Sequence, residues 1–164
     1  MKIILMRHGD AVYSGSDGTR PLSEKGKSES DAAGKFLRSI KEIPDVILHS
    51  KLLRSQETAQ LIEGVLGKTQ LLRLHHGLKP EDSASYFHSE LLTEIFNNKD
   101  SNYTVMVVGH EPFMSTLASL LVLRSPFGLT FNTGTILGAK CFNPENGWDF
   151  CFFVHAEYLI RLYS

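Results

Sequence analysis

Cysteine is scarce in this 164-residue chain, which has two: Cys141 and Cys151. They flank the turn-like stretch "NPENG" and could lie near each other on paired strands. Because no secretory signal precedes them, we expect both to be reduced and to act as small apolar side chains. No spacing of cysteine and histidine matches a zinc-binding pattern. The sequence therefore predicts neither a disulfide framework nor a metal site.

The chain also lacks an excess of charge and a long apolar leader. Its formal net charge is −1, which argues against a broad basic surface for nucleic acid or acidic lipid. Four apolar residues separate Lys2 from Arg7, too few for the apolar region of a signal peptide or for a membrane span. We expect a cytoplasmic protein without nucleic-acid or membrane partners, in which anion recognition depends on a few placed cations.

What the chain does have is a regular alternation of short apolar runs and longer amphipathic stretches, without repeats or linkers. Buried strands are predicted at residues 2–7, 45–50, 69–74 and 102–110. Helices are predicted at residues 24–41 after a Ser23 cap, from residue 50 or 51, after a Ser83 cap, and from Pro112 to about residue 123. The remaining elements are strands at 135–142 and 148–155 and a helix at 156–162. This order predicts one domain over residues 1–164, a three-layer α/β/α sandwich with a mostly parallel sheet and a C-terminal antiparallel hairpin at one edge.

Chemically useful side chains follow the strands of this predicted sheet. Arg7, His8 and Gly9 end the first strand, Arg54 lies in the first turns of the helix after the second, and His110 ends the fourth. In open α/β sheets, ligands bind beyond the carboxyl ends of the strands. Each residue alone has an ordinary structural explanation, such as a solvated helix position for Arg54. Together they predict one crevice with two arginines and two histidines.

Those residue types suit phosphoryl transfer. Guanidinium groups neutralise and orient the phosphoryl oxygens, and a neutral imidazole can attack phosphorus to give a phosphohistidine that water later cleaves. Gly9 would let the backbone approach the ligand without a Cβ. His110 could hold a phosphoryl oxygen and stabilise charge in the transition state.

Three stretches resemble the motifs of the histidine phosphatase superfamily, which also contains the phosphoglycerate mutases: "MRHG", "LLRSQETA" and "VVGHEP". The short chain, "RHGDA", "RPLSEKG" and "FNTGTI" are similar to its SixA-type phosphohistidine phosphatase branch. The resemblance implies that His8 is the nucleophile and that Arg7, Arg54 and His110 form the phosphate pocket. It implies no metal and no cofactor.

The acid that many members place just after the third strand has no counterpart at residues 74–78, which read "LHHGL". Glu81 and Asp82 are the candidates further along the loop, although either could serve as an N-terminal helix charge instead. His75 and His76 lie near the predicted mouth without an assigned role. Arg20 could reach the rim of the pocket, but we expect it to be exposed to solvent.

The missing acid bears on the substrate. An alkoxide needs a proton to leave, whereas the imidazole of a phosphohistidine is readily protonated. Short loops also leave little sequence for a lid over a small metabolite. We therefore expect a monomeric phosphatase acting on phosphohistidine in proteins. The alternatives are a phosphatase for small phosphomonoesters, a phosphoglycerate-type mutase and a non-catalytic phosphate-binding module; the pair His8 and His110 argues against the last.

Overall fold

The sheet of this protein has six strands in the order β3-β2-β4-β1-β5-β6. We analysed a computed structural model that describes residues 1–68, 71–98, 102–123, 129–141 and 147–163. The strands are β1 (Lys2–Arg7), β2 (Val46–His49), β3 (Leu72–Leu74), β4 (Thr104–Gly109), β5 (Ile136–Lys140) and β6 (Asp149–Val154). The first four run parallel, and β5 is antiparallel to both β1 and β6. The expected mixed sheet with an antiparallel hairpin at one edge is confirmed.

Two of the helices begin at the serine caps that the sequence predicts. The helices are α1 (Glu24–Ser39), α2 (Leu53–Leu66), α3 (Ala84–Asn97), α4 (Phe113–Ala118) and α5 (Ala156–Tyr163). The hydroxyl of Ser23 accepts the N–H of Gly26 at the start of α1, and the hydroxyl of Ser83 accepts the N–H of Tyr86 at the start of α3. The fourth helix is shorter than expected, because a π-helical turn over Ser119–Leu123 replaces its second half.

Apolar side chains cover both faces of the sheet, because successive residues of a strand point to opposite sides. Ile3 and Leu5 of β1 pack with Phe87 of α3 and Leu117 of α4 on one face. The alternate residues of β1 pack on the other face with α1, α2 and α5; the cluster there includes Ile4, Met6, Leu37, Ile62 and Leu159. The three-layer architecture follows from this division.

Strand β1 lies at the centre of the sheet, between β4 and β5. Its register with β4 pairs Arg7 with Gly109, so the residues that follow each strand emerge side by side. The amide of His8 continues the pairing by donating to the carbonyl of Gly109. The carboxyl ends of the parallel strands therefore deliver the motif residues to one edge.

Three smaller expectations can also be compared with the structure. The first two residues of the expected third strand, 69 and 70, and most of the expected hairpin turn, 144–146, lie outside the described residues. Both cysteines are free, Cys141 buried and Cys151 exposed. Among the described residues, no helix is long and apolar enough to cross a membrane.

Candidate active site

A cavity of about 290 Å³ opens beyond the carboxyl ends of β1 and β4. The residues that line it come from distant parts of the chain: Arg7, His8, Asp10, Ala11, Tyr13, Arg20, Arg54, Pro80, His110, Glu111 and Thr133. The structure thus brings together the four side chains that the sequence selected at separate strand ends. The volume accommodates a phosphoryl group with a small leaving group attached.

The imidazole of His8 is held in one tautomer. Its Nδ1 lies 2.7 Å from the carbonyl oxygen of Gly9, which can only accept, so Nδ1 carries the proton. Its Nε2 then has a free lone pair, which accepts a hydrogen bond from Nε of Arg54 at 3.2 Å. His8 lines the cavity and is 7% exposed. Because Nδ1 is bonded to the backbone, Nε2 is the ring nitrogen that can react with a ligand in the cavity.

Arg54 is fixed before any ligand arrives. It is 5% exposed in the first turn of α2, and its Nη1 donates to the carbonyl oxygen of Asp17 at 2.7 Å. Nη2 lies 3.2 Å from the Asp17 carboxylate, and this pair holds the pKa of Asp17 below its usual range. The short 3-10 turn over Asp17–Thr19 therefore carries the residue that orients the second arginine.

His110 lies beside His8, with 4.7 Å between ring centroids, and is 1% exposed. Its Nε2 lies 2.6 Å from the hydroxyl oxygen of Ser50, the residue that follows β2. Three neighbouring parallel strands, β1, β2 and β4, thus each contribute to this part of the cavity at their carboxyl ends.

Both histidines are neutral at ordinary pH. Burial, followed by repulsion from Arg54 and Arg7, lowers the pKa of His8 from 6.5 to about 4, although the Gly9 carbonyl opposes the change. Burial lowers the pKa of His110 from 6.5 to about 2, with His8 and the two arginines contributing. The cavity therefore combines two fixed cations with two imidazoles that keep a lone pair.

Two buried polar atoms lack a partner among the described residues: Nε of Arg7 and Nδ1 of His110. Both belong to residues that line the cavity. The other end of Arg7 is engaged, since its Nη1 donates to the carbonyl oxygen of Phe131 at 2.7 Å. Because buried polar groups in folded proteins are almost always paired, these orphaned atoms indicate a site built for a polar ligand.

Comparisons with known proteins agree with this geometry. The family model of the histidine phosphatase superfamily (branch 1) matches residues 3–80. An uncharacterised protein of Mycobacterium tuberculosis is 30% identical over 118 residues, which cover 71% of this chain and 69% of that protein. The chain belongs to the histidine phosphatase superfamily.

Within the superfamily, the matches support the SixA-type branch that the motifs indicated. The phosphohistidine phosphatase SixA of Escherichia coli is 28% identical over 122 residues, covering 74% of each chain. A structure of the protein histidine phosphatase SixA complexed with tungstate has a TM-score of 0.87 at 23% identity, covering 97% of this chain and 99% of that one. A mycobacterial glucosyl-3-phosphoglycerate phosphatase shares the fold, with a TM-score of 0.68 at 17% identity over 94% and 98% of the two chains.

Gly9, which follows the superfamily's Arg-His pair, has a packing role in this structure. A Cβ at this position would lie 2.5 Å from the carbonyl oxygen of Gly26 in α1. Its N–H donates to the hydroxyl of Thr58, so that amide is not free for a ligand. The need for glycine here is explained by the close approach of α1 to the loop after β1. A contact between Gly9 and substrate stays a prediction.

The two candidate acids do not line the cavity. Glu81 is exposed and pairs with Lys79, and the carboxylate of Asp82 accepts the N–H of Lys79 at 2.7 Å. Both carboxylates are therefore used by their own loop, of which Pro80 reaches the cavity wall. The expectation that this loop presents a carboxyl to the substrate has no support in the described geometry.

Two other carboxylates do line the cavity, and protein donors hold both. The hydroxyl of Ser23 donates to Asp10 at 2.6 Å. Glu111 accepts from the N–H and the hydroxyl of Ser115 and from the N–H of Phe131. These bonds fasten the loop after β1 and the segment before β5, which gives both carboxylates a structural use.

Arg20 lines the cavity, which was the alternative to the solvent-exposed position that we expected for it. Its Nε donates to the carbonyl oxygen of Val12 at 3.0 Å, and its guanidinium lies 4.1 Å from the ring centroid of Tyr13. Tyr13 is 95% exposed, so the pair forms part of the cavity rim. The stretch "RPLSEKG" is part of the resemblance to the SixA-type branch. Its residue spacing does not distinguish a rim position of Arg20 from a solvent-exposed one.

Sequence reasoning also missed Thr133, Ser50 and Asp17. Thr133 lies in the quoted stretch "FNTGTI", and its hydroxyl donates to the buried carboxylate of Glu29. Ser50 could have been found, because it ends a strand as His8 and His110 do. Asp17 lies in an irregular loop that has no periodic signal.

The other histidines lie away from the cavity lining. His49 is buried with its Nδ1 on the carbonyl oxygen of Ser50, and His155 meets the hydroxyl of Thr135. His75 packs against the ring of Phe87, and His76 is exposed. In the part of the chain that the structure describes, no cluster of His, Cys, Asp or Glu could hold a metal ion.

Proposed function

We propose that this protein is a phosphatase that acts through a phosphohistidine on His8 and removes phosphate from phosphohistidine in proteins. The observation that carries the proposal is the pair of buried atoms without a partner, Nε of Arg7 and Nδ1 of His110, which belong to residues that line the same cavity as His8. A phosphoryl group supplies oxygens for such groups and an electrophilic phosphorus for the imidazole.

In the first step, Nε2 of His8 attacks phosphorus and the bond from phosphorus to the imidazole of the substrate breaks. That imidazole already carries a proton on its other nitrogen, so it leaves in its neutral form. The hydrogen bond from Arg54 to Nε2 is then given up, and the guanidinium is free to donate to the phosphoryl oxygens. Arg7 contributes the second cation, with Phe131 holding its far end. The Gly9 carbonyl stays bonded to Nδ1–H and stabilises the positive charge that develops on the ring.

In the second step, water attacks phosphorus, the bond to Nε2 breaks, and inorganic phosphate leaves. The proton released by the water goes to solvent, and His8 returns to its neutral form. Its low pKa, about 4, supports this cycle, because the free imidazole is unprotonated and ready at ordinary pH.

The carboxylates that line the cavity favour a phosphoramidate substrate. Of the carboxylates in the described residues, the two that line the cavity are already bonded to Ser23 and to Ser115 and Phe131. An imidazole leaving group takes its proton readily, so it has the least need of a dedicated acid. The similarity to SixA of Escherichia coli supports the same substrate class.

A phosphatase for small phosphomonoesters is the second candidate. The cavity of about 290 Å³ has room for a small metabolite, and the fold is shared with a glucosyl-3-phosphoglycerate phosphatase. For that reaction the alkoxide would draw its proton from water or from a cavity carboxylate. We further propose that residues 1–164 form one domain that acts without a metal, as a cytoplasmic monomer without nucleic-acid or membrane partners.

The test is a comparison of initial rates on a phosphohistidine protein, a sugar phosphate and a phosphoglycerate. Alkaline quenching followed by mass spectrometry detects phosphorylation of His8. We expect the phosphohistidine protein to be the best substrate, His8→Ala to abolish turnover, and Arg54→Ala to lower kcat by about 10²–10³-fold. His88→Ala is the matched control, because this α3 residue does not line the cavity.

Retention of wild-type rates by His8→Ala would exclude the covalent mechanism. Faster turnover of a sugar phosphate would favour the second candidate, and transfer of phosphate between positions of phosphoglycerate would identify a mutase. Phosphate binding without turnover of any substrate would indicate a non-catalytic module.

A further inference from the structure

We propose that Ser50 is a positioning residue that holds His110 in the tautomer with its proton on Nδ1, so that this nitrogen donates to a phosphoryl oxygen. The inference rests on the proposed function for the identity of the ligand. Ser50 is not one of the four residues of the predicted active site, and its contact with His110 determines which nitrogen of that imidazole carries the proton.

The hydroxyl of Ser50 has two neighbours in a water-free setting. The residue is 0% exposed, its Oγ accepts the N–H of Leu52 at 3.2 Å, and it lies 2.6 Å from Nε2 of His110. The first contact fixes the hydroxyl at the entrance of α2, and the second makes it the partner of the inner nitrogen of the imidazole. These two neighbours decide where the single hydroxyl hydrogen can go.

The hydrogen has a good acceptor when it points to Nε2 of His110. The N–H of Leu52 is a donor and cannot receive it. With Nε2 accepting, the one proton of the neutral imidazole must be on Nδ1. Burial lowers the pKa of His110 to about 2, so the imidazole is neutral at ordinary pH.

The opposite arrangement leaves two groups unsatisfied. If Nε2 carried the proton and donated to Ser50, the hydroxyl hydrogen would be buried without an acceptor among the described contacts. Nδ1 would then present a lone pair, which repels phosphoryl oxygens. An unpaired buried polar hydrogen is costly, so the first arrangement is favoured even before a ligand binds.

The orphaned state of Nδ1 follows from this assignment. With Ser50 occupying Nε2, Nδ1–H is a buried donor with no partner in the described structure, beside a ring that lies 4.7 Å from His8. A phosphoryl group bonded to His8 would bring an oxygen to that donor. Ser50 thus acts on the substrate through His110 and does not touch it.

Nitrogen-15 NMR of the histidine side chains at neutral pH tests the assignment directly. In the wild-type protein we expect the Nδ1 signal of His110 to be that of a protonated nitrogen and the Nε2 signal that of an unprotonated one. His110→Gln identifies the signals by their loss. A proton found on Nε2 of His110 in the wild-type protein would overturn the proposal without any further variant.

Substitutions then test the consequence for ligand binding. We expect Ser50→Ala to shift the His110 proton toward Nε2 and to weaken binding of inorganic phosphate. It should lower kcat by about 10-fold or more, but by less than the about 10²–10³-fold that results when a donor itself is removed. Ser50→Thr keeps the hydroxyl and should restore the Nδ1–H signal and much of the affinity. Ser30→Ala is the control: it removes a buried hydroxyl that donates to the carbonyl oxygen of Gly26 in α1 and contacts neither Ser50 nor His110.

Each result bears on one proposal. Ser50→Ala with an unchanged tautomer and unchanged phosphate affinity would refute the role of Ser50, even if its stability fell as in Ser30→Ala. Substitution of Ser50 could change the tautomer and the phosphate affinity in a protein that forms no phosphoenzyme. This result would support the role of Ser50 and refute the catalytic function. The tautomer is read without substrate, so the two failures are distinguishable.

Discussion

The buried imidazole of His8 makes a quantitative prediction about pH. When the pH falls from 7 toward 4, an ordinary histidine becomes protonated near pH 6.5, whereas His8 should stay neutral until about pH 4. The main cause is burial, which removes water from the charged form, and the repulsion of Arg54 and Arg7 adds to it. The hydrogen bond to the Gly9 carbonyl raises the pKa of His8, but by less than burial lowers it.

The expected size of the effect can be worked out at pH 5.5. With a pKa of about 4, roughly 3% of His8 is protonated there, against about 91% for a histidine with a pKa of 6.5. Between these pKa values the unfolded chain binds more protons than the folded one, so the free energy of unfolding rises with pH across this window. His8 alone accounts for about 1 kcal/mol lost at pH 5.5 and about 3 kcal/mol lost at pH 4, relative to pH 8.

Side-chain carbon–proton NMR measures this titration, with the His8 signal identified by its absence in His8→Gln. We expect no midpoint for His8 between pH 5 and pH 7.5. In Arg54→Gln the midpoint should rise but remain below 6.5, because burial is the largest cause and the substitution removes only one cation. A wild-type midpoint near 6.5 would refute the account of His8 as a desolvated nucleophile.

Two further substitutions test features that separate packing from chemistry. Gly9→Ala should destabilise the protein by about 1–3 kcal/mol in urea denaturation, because its Cβ would meet the carbonyl oxygen of Gly26 at 2.5 Å; unchanged stability would contradict this close approach. The double substitution Glu81→Gln with Asp82→Asn should leave rates on a phosphohistidine protein and on an alkyl phosphate unchanged, since neither carboxylate lines the cavity. A loss confined to the alkyl phosphate would make one of the two an acid after all.

The fold was predictable because local signals and long-range packing agree. The apolar runs of β1 and β4 have no other stable position than the centre of a sheet, and Ser23 and Ser83 cap the helices that the pattern begins there. The end of α4 was not predictable. The π-helical turn over Ser119–Leu123 depends on how that segment packs, and its composition resembles an ordinary apolar helix.

The candidate site was predictable where its residues end a strand or, like Arg54, begin the helix that follows one. Arg7, His8 and His110 end strands, so topology alone brings them to one edge. Arg20 reaches the cavity and Asp17 reaches Arg54 from an irregular loop, whose path is set by contacts such as the bond from Arg20 to the Val12 carbonyl. No sequence periodicity predicts such a path. Glu81 and Asp82 follow the third strand closely in sequence, which suggested a place in the cavity lining that neither residue has.

The central position of β1 also has a consequence for how the protein is made. The amide of Arg7 bonds to the carbonyl oxygen of Thr135, 128 positions later in the chain. At about 5–20 residues per second, that partner is synthesised about 6 to 26 s afterwards. During this interval β1 lacks the neighbour that β5 later provides, and unpaired apolar strand edges of this kind make partly folded chains prone to aggregation.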